Sequence, residues 1–427
     1  MPNPVTSWRS LLLVFGVTAM VEGIGVSQVF ALLPSLLSTM GVPDGERLSF
    51  IGLFSSLLFV LGMPLVPLWG VWADKYSRRA VIARSAAVEV VVFGGLALAR
   101  EPWQVALCML LIGFQLGNTG VMLAGIRDVT PRQRLGLVIA LFGASGAVGF
   151  ALGPVLAGIL IDGAGWSISM VFGLSAAMSL GTALLVMLGT REVRPEVVPR
   201  GRVISLAFGA VRGVIADPAV RRIFLTYFAA FLANQMSRPF LPVLVETIVG
   251  RGPGLASAIG LVSGTAALAG ALLSPLGGAL GDRIGFRRVL LAALGVAAVA
   301  IALLPAAAAI GGLATLALVA VVVALAIAAV GAMVFGLLAT EVPPERRSAT
   351  LNLVYLPLYA AGIIGPAIGG LVVQAGLPGP FLVGGAALAV ATVVLALQGR
   401  RPQGQPPEAQ PPETPPPRAT APSPGSP

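Results

Sequence analysis

The sequence contains the same pattern twice, and this internal duplication restricts the possible folds more than any other feature. Four matched segments occur in the same order in the two halves: Pro34 and Pro242, Pro67–Arg79 and Pro275–Arg288, Asp128–Arg134 and Glu341–Arg347, and Gly153–Gly158 and Gly365–Gly370. A duplicated apolar chain is typical of membrane transporters, in which two homologous bundles of helices surround a central site. We therefore expect two homologous units.

Composition places these units in a membrane. Hydrophobic residues make up 57% of the 427 residues and charged residues only 10%, whereas about 25% charged residues is usual in soluble domains. The chain has no histidine, and its single cysteine is Cys108. We therefore expect no metal site, no disulfide within the chain and no hydrolase triad. A Walker-type nucleotide loop is also absent from the sequence, so we expect neither a cofactor nor an enzyme.

Apolar runs of about 20 residues, the length that crosses a hydrocarbon core, recur along the whole chain. They lack two-residue alternation, which argues against membrane strands. We predict an all-α membrane protein with twelve spans in two pseudo-symmetric six-helix bundles. The spans of the first half cover residues 10–38, 48–70, 80–99, 103–126, 135–161 and 167–189. Those of the second half cover residues 222–248, 255–277, 288–310, 313–340, 348–373 and 380–398.

Two segments lie outside the spans. Residues 190–221 are rich in arginine and are predicted to form a cytoplasmic linker between the first bundle (1–189) and the second bundle (222–398). Part of this linker is expected to be an amphipathic helix on anionic lipid. Residues 399–427 are rich in proline and are predicted to form a disordered cytoplasmic tail.

Basic residues predict the orientation of the chain. Arg47, Arg100 and Arg251 fall on one side of the spans, and Arg238 falls inside a span. All other lysines and arginines are assigned to the opposite side, which includes both termini. The positive-inside rule then places both termini in the cytoplasm. The net charge of +10 therefore reflects membrane topology, and nucleic acid is not an expected partner.

Two connecting segments, which we call the first and second hinge motifs, carry glycine, aspartate and arginine at fixed spacing. They comprise Gly70, Asp74, Arg78 and Arg79, and Gly278, Asp282, Arg283, Arg287 and Arg288. Both resemble motif A of the major facilitator superfamily, although the first has Lys75 for arginine and Ser77 for glycine. The resemblance covers residues 10–398 and implies a central cavity and alternating access. An aspartate at a helix N-terminus and arginines that bind carboxylates would favour one conformation; a plain positive-inside hinge is the alternative.

Small residues and a proline recur in the fifth and eleventh spans. They are Gly149, Gly153, Pro154 and Gly158 in the fifth span, and Gly365, Pro366, Gly369 and Gly370 in the eleventh. The first set resembles motif C, the signature of drug:proton antiporters. Small residues allow close approach of helices, and proline bends a span. Because the second half repeats the pattern, helix packing alone could also account for it.

Two acidic residues lie inside predicted spans. Glu22 stands twelve residues before Pro34, an arrangement similar to the first span of tetracycline:proton antiporters. An ionised acid at mid-membrane costs about 2.5–3.5 kcal/mol on insertion scales, so Glu22 is a candidate for proton coupling or for binding a cation, with a hydrogen-bonded structural role as the alternative. Glu89, in the third span, is a second candidate for coupling, or it pairs with a polar group on another helix.

Other polar residues at membrane depth are candidates for substrate contact. Arg238 is a deep cation whose expected partner is Glu22, Glu246 or an anionic substrate. Five uncharged residues either line the cavity or bridge helices: Gln28, Gln115, Asn118, Asn234 and Gln235. The arginine that drug:proton antiporters carry in the fourth span is missing, since its place is taken by Met109.

Together these features predict a secondary transporter in the cytoplasmic membrane, acting as a monomer on a small molecule. The expected activity is proton-coupled efflux of drug-like or cationic compounds. A facilitator or symporter for a sugar, an amino acid or an organic acid is the first alternative. A membrane scaffold or sensor without transport activity is the second.

Overall fold

The computed structural model describes residues 7–193, 198, 200–341 and 353–398, and all regular secondary structure in this part of the chain is helical. The helices of the first half are α1 (Trp8–Thr39), α2 (Asp44–Val60), α3 (Gly62–Lys75), α4 (Arg78–Leu98), α5 (Pro102–Leu111), α6 (Asn118–Val129), α7 (Leu135–Gly158) and α8 (Ile168–Gly189). Those that follow are α9 (Val203–Ile215), α10 (Pro218–Ser237), α11 (Leu241–Val249), α12 (Leu255–Ile284), α13 (Phe286–Glu341), α14 (Leu356–Val372) and α15 (Gly379–Gln398). The predicted tail lies outside the described residues.

The number of membrane crossings agrees with the prediction of twelve. Within the described residues ten helical stretches are long and apolar enough to cross a membrane, and the bent pair Val203–Ile215 with Val220–Val249 makes an eleventh. α13 has 56 residues and is broken at Gly312, where φ is 63° and ψ is −159°. Since one crossing needs only about 20 residues, α13 contains both the ninth and the tenth predicted spans.

A serine N-cap sets the start of α4 directly after the first hinge motif. The Ser77 hydroxyl oxygen accepts a hydrogen bond from the Ala80 N–H at 3.0 Å, which satisfies one of the free amides of the first turn. The Ser77 hydroxyl also donates to Glu192, and the Arg78 N–H donates to the other Glu192 carboxylate oxygen at 2.8 Å. The departure from the family pattern at Ser77 therefore has a structural reason.

Two pairs of helices join the two halves of the molecule. α2 packs against α14, and α7 packs against α12. α2 belongs to the second span and α14 to the eleventh, whereas α7 is the fifth and α12 the eighth. Exchanging the halves therefore converts one pair into the other, which is the pseudo-twofold relation expected of duplicated bundles.

The halves are in contact at one end of the molecule and diverge towards the other. We call the end with Asp74 and Asp282 the hinge end. Away from it, Gly158 and Gly260 of the α7–α12 pair are so close to the facing helix that an added Cβ would lie 2.7 Å from Ser257 Cα and 2.6 Å from Pro154 O, respectively. Nearer the hinge end, the same two helices line a cavity.

Candidate functional site: a central cavity and a buried polar cluster

A cavity of about 880 Å³ lies between the two halves. α1 and α7 form its wall in the first half, and residues of α10 to α13 together with α15 form the rest. Along α12 the cavity extends from Ser263 to Gly278, the first residue of the second hinge motif. The cavity reaches this motif, whereas the two halves are in contact with each other at the opposite end. The cavity therefore opens towards the hinge end.

Four charged residues form an ion-pair cluster at the end opposite the hinges. Arg47 of α2 donates two hydrogen bonds to the Glu246 carboxylate of α11, at 2.9 and 2.7 Å. Arg251 donates to the same carboxylate and to Asp44, and these hydrogen bonds raise the pKa of the Arg251 guanidinium. Since Asp44 and Arg47 belong to the first half and the others to the second, the cluster holds the halves together at this end.

Of the three partners expected for Arg238, neither Glu22 nor Glu246 pairs with it in the structure. Its guanidinium carbon lies 4.4 Å from the ring centre of Phe30 and 4.6 Å from that of Phe150. Glu246 is unavailable to Arg238 because it belongs to the ion-pair cluster. Among the described residues that line the cavity, Arg238 is the only charged one.

The Glu22 side chain is half-buried on α1 and is not among the described residues that line the cavity. The side-chain amides of Gln115 and Asn118 each donate to one of its carboxylate oxygens, both at 2.8 Å. A break between α5 and α6 makes this possible: Gly117 has φ of 96°, a left-handed conformation that glycine adopts at low cost. The break turns both amides towards α1.

Arg84, a residue that sequence analysis missed, lies next to this cluster. Its Nη2 donates to the carbonyl oxygens of Gln115 and Leu116 at 3.3 and 3.4 Å, and its guanidinium carbon lies 3.8 Å from the ring centre of Trp69. Charge counting assigned Arg84 to a cytoplasmic hinge. It lies six residues after Arg78, however, which is about 9 Å further along α4, and this spacing could have placed it at membrane depth.

Met109, the residue at the place of the missing fourth-span arginine, is fully buried. The cation near Glu22 comes from the third span instead. Arg84 and Glu22 do not form an ion pair in the structure, since no nitrogen–oxygen distance of 4.0 Å or less joins them. The Gln115 residue connects the two, because its amide donates to Glu22 and its backbone carbonyl accepts from Arg84.

Glu89 and Gln28 bridge helices of the first half. Ser179 of α8 donates to the Glu89 carboxylate of α4 at 2.8 Å. Gln28 of α1 donates to the Gly153 carbonyl at 3.2 Å and accepts from Ser175 at 2.6 Å. Both side chains are thus occupied within the bundle, and neither lines the cavity.

The five uncharged candidates therefore separate into two groups. Asn234 lines the cavity, and Gln235 accepts a hydrogen bond from Arg238 at 3.4 Å. Gln28, Gln115 and Asn118 do not line the cavity and bridge helices instead. The sequence could not distinguish the groups, because the rotation of each helix decides which way a polar side chain points.

The two hinge motifs differ in their contacts. In the first, Arg78 is buried and binds both Asp74 and Asp128, at 2.8 and 2.7 Å, and Arg79 donates to the Met187 carbonyl. In the second, Asp282, Arg283 and Arg288 are exposed and form no ion pair with any residue that the structure describes. Arg287 donates to the Leu395 carbonyl at 3.0 Å. The side chains of Glu341–Arg347, which match Asp128–Arg134, lie outside the described residues.

Gly70 and Gly278, the first residues of these motifs, have open space where a Cβ would be. The glycines of α7 and α14, in contrast, lie at close helix contacts. Gly149 and Gly153 face α1, Gly365 and Gly369 face α10, Gly158 faces α12, and Gly370 faces α2. Pro154 lines the cavity on α7, and Pro366 is its buried counterpart on α14.

Two helical bundles around a cavity that opens at one end define a membrane carrier. The model of the Major Facilitator Superfamily matches residues 11–258 and 223–424, and the chain belongs to this superfamily, whose members are transporters and not enzymes. It is 29% identical over 290 residues to the multidrug resistance protein MdtG of Citrobacter koseri, covering 67% of this chain and 70% of that protein. It is 25% identical over 289 residues to a multi-drug resistance efflux pump PmrA homolog of Lactococcus lactis, covering 67% and 70%.

Solved structures share the fold at lower sequence identity. The nucleoside transporter NupG superposes with a TM-score of 0.72 at 16% identity, over 91% of this chain and 99% of that one. A bacterial homolog of the human lysosomal transporter Spinster, in an inward-facing and occupied conformation, gives a TM-score of 0.75 at 18% identity, over 92% and 97%. These likenesses establish the fold.

Proposed function

We propose that this protein is a secondary transporter that exports drug-like compounds from the cytoplasm in exchange for protons. The relatives named as multidrug resistance proteins support export of drugs. The observation that carries proton coupling is the Glu22 carboxylate, which lies at membrane depth with two amide donors and no cation within ion-pair distance among the described residues.

Glu22 has the properties of a proton-binding group. A carboxylate inside a membrane span is costly unless it is hydrogen-bonded, and protonation removes that cost. The Gln115 and Asn118 amides stabilise the ionised form, so the carboxyl can exist in either state as the environment changes. Gln115 and Asn118 flank the break at Gly117, and a change in the angle between α5 and α6 would therefore change the hydrogen bonding of Glu22.

The proton site and the cavity are separate but share a helix. Ser27 of α1 lines the cavity, five residues or about 7.5 Å along the helix from Glu22. A proton and a substrate would then not compete for one group. They would act on the same equilibrium between conformations through α1, and thermodynamic linkage makes such coupling reciprocal.

The orientation follows from the distribution of charge. With both termini in the cytoplasm, as the positive-inside rule favours, the hinge end is cytoplasmic and the described conformation is inward-facing. The ion-pair cluster then closes the outer face. Residues 1–189 and 222–398 act as the two moving bundles, residues 190–221 connect them, and the transporter lies in the inner membrane of a bacterium as a monomer.

Transport in inverted membrane vesicles tests the proposal. Glu22→Gln should lower proton-driven drug accumulation at least about tenfold, since the amide is nearly isosteric but cannot exchange a proton. Glu46→Gln, at an exposed acid outside the cavity, is the matched control and should transport normally. Drug-dependent proton release at the normal rate from the Glu22→Gln protein would contradict the proposed role of Glu22.

The energy source is tested in the same vesicles. A protonophore should abolish accumulation against a concentration gradient while ATP is still present. Accumulation that survives the protonophore and stops on ATP depletion would rule out secondary transport.

A further inference from the structure

We propose that the cavity recognises an organic anion: a molecule with an apolar body and one carboxylate, sulfonate or phosphonate group, which binds the guanidinium of Arg238. This inference rests on the proposed function, because it names the class of drug-like compound that the same cavity carries. Cationic compounds, which the sequence equally suggested, find no carboxylate among the described residues that line the cavity.

The charge of the cavity is not neutralised by the protein. Arg238 forms no ion pair with any residue that the structure describes. Glu22 is held by Gln115 and Asn118, and Glu246 is held by Arg47 and Arg251. A cation at membrane depth without a counter-ion is unfavourable, so an anion that enters the cavity gains from pairing with Arg238.

The Arg238 guanidinium contacts two aromatic rings and has hydrogen-bond donors that are not all satisfied. Its carbon lies 4.4 Å from the ring centre of Phe30 and 4.6 Å from that of Phe150, distances suited to cation–π attraction. One long hydrogen bond, from Nη1 to Gln235, uses part of its donor capacity. Nη2 is buried and has no partner among the described residues. A guanidinium whose donors are not all satisfied holds a carboxylate or a phosphonate by charge-assisted hydrogen bonds.

The remainder of the cavity suits an apolar body. Phe231, Leu241 and Phe381 line it together with many alanines and glycines. Asn234 and Ser237 lie on α10, which ends directly before Arg238. Its volume of about 880 Å³ falls within the range of about 300–1,000 Å³ that is usual for sites of drug-sized ligands. One end of the ligand would thus meet polar groups and the other an apolar wall.

Arg238 also connects the two halves. It belongs to the second half, whereas Phe30 and Phe150 belong to α1 and α7 of the first. An anion bound at Arg238 therefore sits where the bundles meet, and its binding acts on the contact that alternating access must change.

Binding to the purified full-length protein in detergent tests the inference with three probes of one skeleton. These are 2-naphthylacetate, its neutral amide 2-naphthylacetamide and the cation 2-(2-naphthyl)ethylammonium, each titrated by calorimetry at pH 7. The wild-type protein should bind the carboxylate about tenfold or more tightly than the amide, as expected for a charge-assisted hydrogen bond, and the ammonium most weakly.

Substitutions at Arg238 should remove this preference in a defined order. Arg238→Gln should bind carboxylate and amide equally, and Arg238→Lys should retain part of the preference because it keeps the charge but loses the planar fork. Arg222→Gln, at an exposed arginine on α10, the helix that precedes Arg238, should behave as wild type. If Arg238→Gln fails to fold, the ranking of the three probes by the wild-type protein still decides the matter.

Two results would overturn the inference: equal or tighter wild-type binding of the ammonium or the amide, or an unchanged carboxylate preference in folded Arg238→Gln. Because binding needs no gradient, its outcome is independent of proton coupling. A carboxylate preference in a protein whose transport ignores the proton gradient would refute the proposed function alone. Proton-driven export with no preference for the carboxylate would refute this inference alone.

Discussion

Arg78 is the residue around which the first hinge motif is built. It is 4% exposed and binds two carboxylates, those of Asp74 and Asp128. A buried cation depends strongly on its partners, since removing one leaves charge that is no longer compensated. Asp282, at the equivalent place in the second motif, is exposed and contributes no such contact among the described residues.

The two aspartates should therefore respond differently to the same substitution. Asp74→Asn should lower the free energy of unfolding and shift the balance between inward- and outward-facing states by about 1–3 kcal/mol. Asp282→Asn is the matched control. It should change the free energy of unfolding and the balance between the two states each by less than about 0.5 kcal/mol. Thermal unfolding in detergent and thiol accessibility on both faces are the measurements. Equal effects of the two substitutions would show that the ion pairs of Arg78 do not matter.

The cluster around Glu22 combines features that one sequence can predict with features that it cannot. Glu22, Gln115 and Asn118 were each recognised as polar groups at membrane depth, because polarity within an apolar run is visible in one sequence. Their association was not predictable, since it depends on the break at Gly117 and on the rotation of the flanking helices. Arg84 was missed because it lies near the end of the third span and was assigned to the connecting segment outside that span.

At the scale of helices, the glycines of α7 make the same kinds of contact as those of α14. In each helix two glycines face the first helix of their own half, α1 or α10, and a third faces the other half. Gly158 faces α12, and Gly370 faces α2. The repeated motif therefore serves packing within each bundle and contact between the bundles, which a resemblance to the antiporter signature did not by itself reveal.

Substitution of glycines along α7 tests this division. Gly149→Ala should destabilise the protein by about 1–3 kcal/mol, the usual effect of overpacking, because its Cβ would collide with the backbone of Met20 in α1. Gly136→Ala, on the same helix but with open space around it, should be neutral or stabilising by up to about 1 kcal/mol. Thermal unfolding of the two variants side by side distinguishes them. A stable Gly149→Ala protein would mean that α1 and α7 do not approach closely.

At the scale of the whole molecule, the ion-pair cluster decides which face is open. Arg47 is 3% exposed and Glu246 is 10% exposed, whereas Arg251 is 48% exposed. Pairs that are screened from water respond strongly to the loss of one partner, and exposed pairs contribute little. The Arg47–Glu246 pair should therefore dominate closure of this end.

Arg47→Gln should favour the outward-open state by about 1–3 kcal/mol, while Arg251→Gln should shift it by less than about 1 kcal/mol. A cysteine at Ser35, which lines a small cavity beside Glu246 and Arg251, reports the opening by its rate of thiol labelling. The native Cys108 is buried and gives a low background. Labelling that is faster in Arg251→Gln than in Arg47→Gln would contradict the assigned order.

The architecture was the most predictable property. Twelve spans and two bundles follow from apolar run lengths and from the duplication, since both are properties of the chain that side-chain rotation does not alter. The open or closed state of each face was not predictable, because it depends on contacts such as Arg47 with Glu246 that join residues far apart in sequence.

The proposed binding of an anion at Arg238 has an energetic consequence for transport. A carrier that expels one monovalent anion for each proton it admits moves two elementary charges inward per turnover. At 100 mV the voltage then contributes about 4.6 kcal/mol, which sustains a concentration ratio of roughly 2,000-fold. Exchange of a monovalent cation for a proton would be electrically silent. In the proposed exchange, the charge of Arg238 thus decides whether the membrane voltage contributes to export.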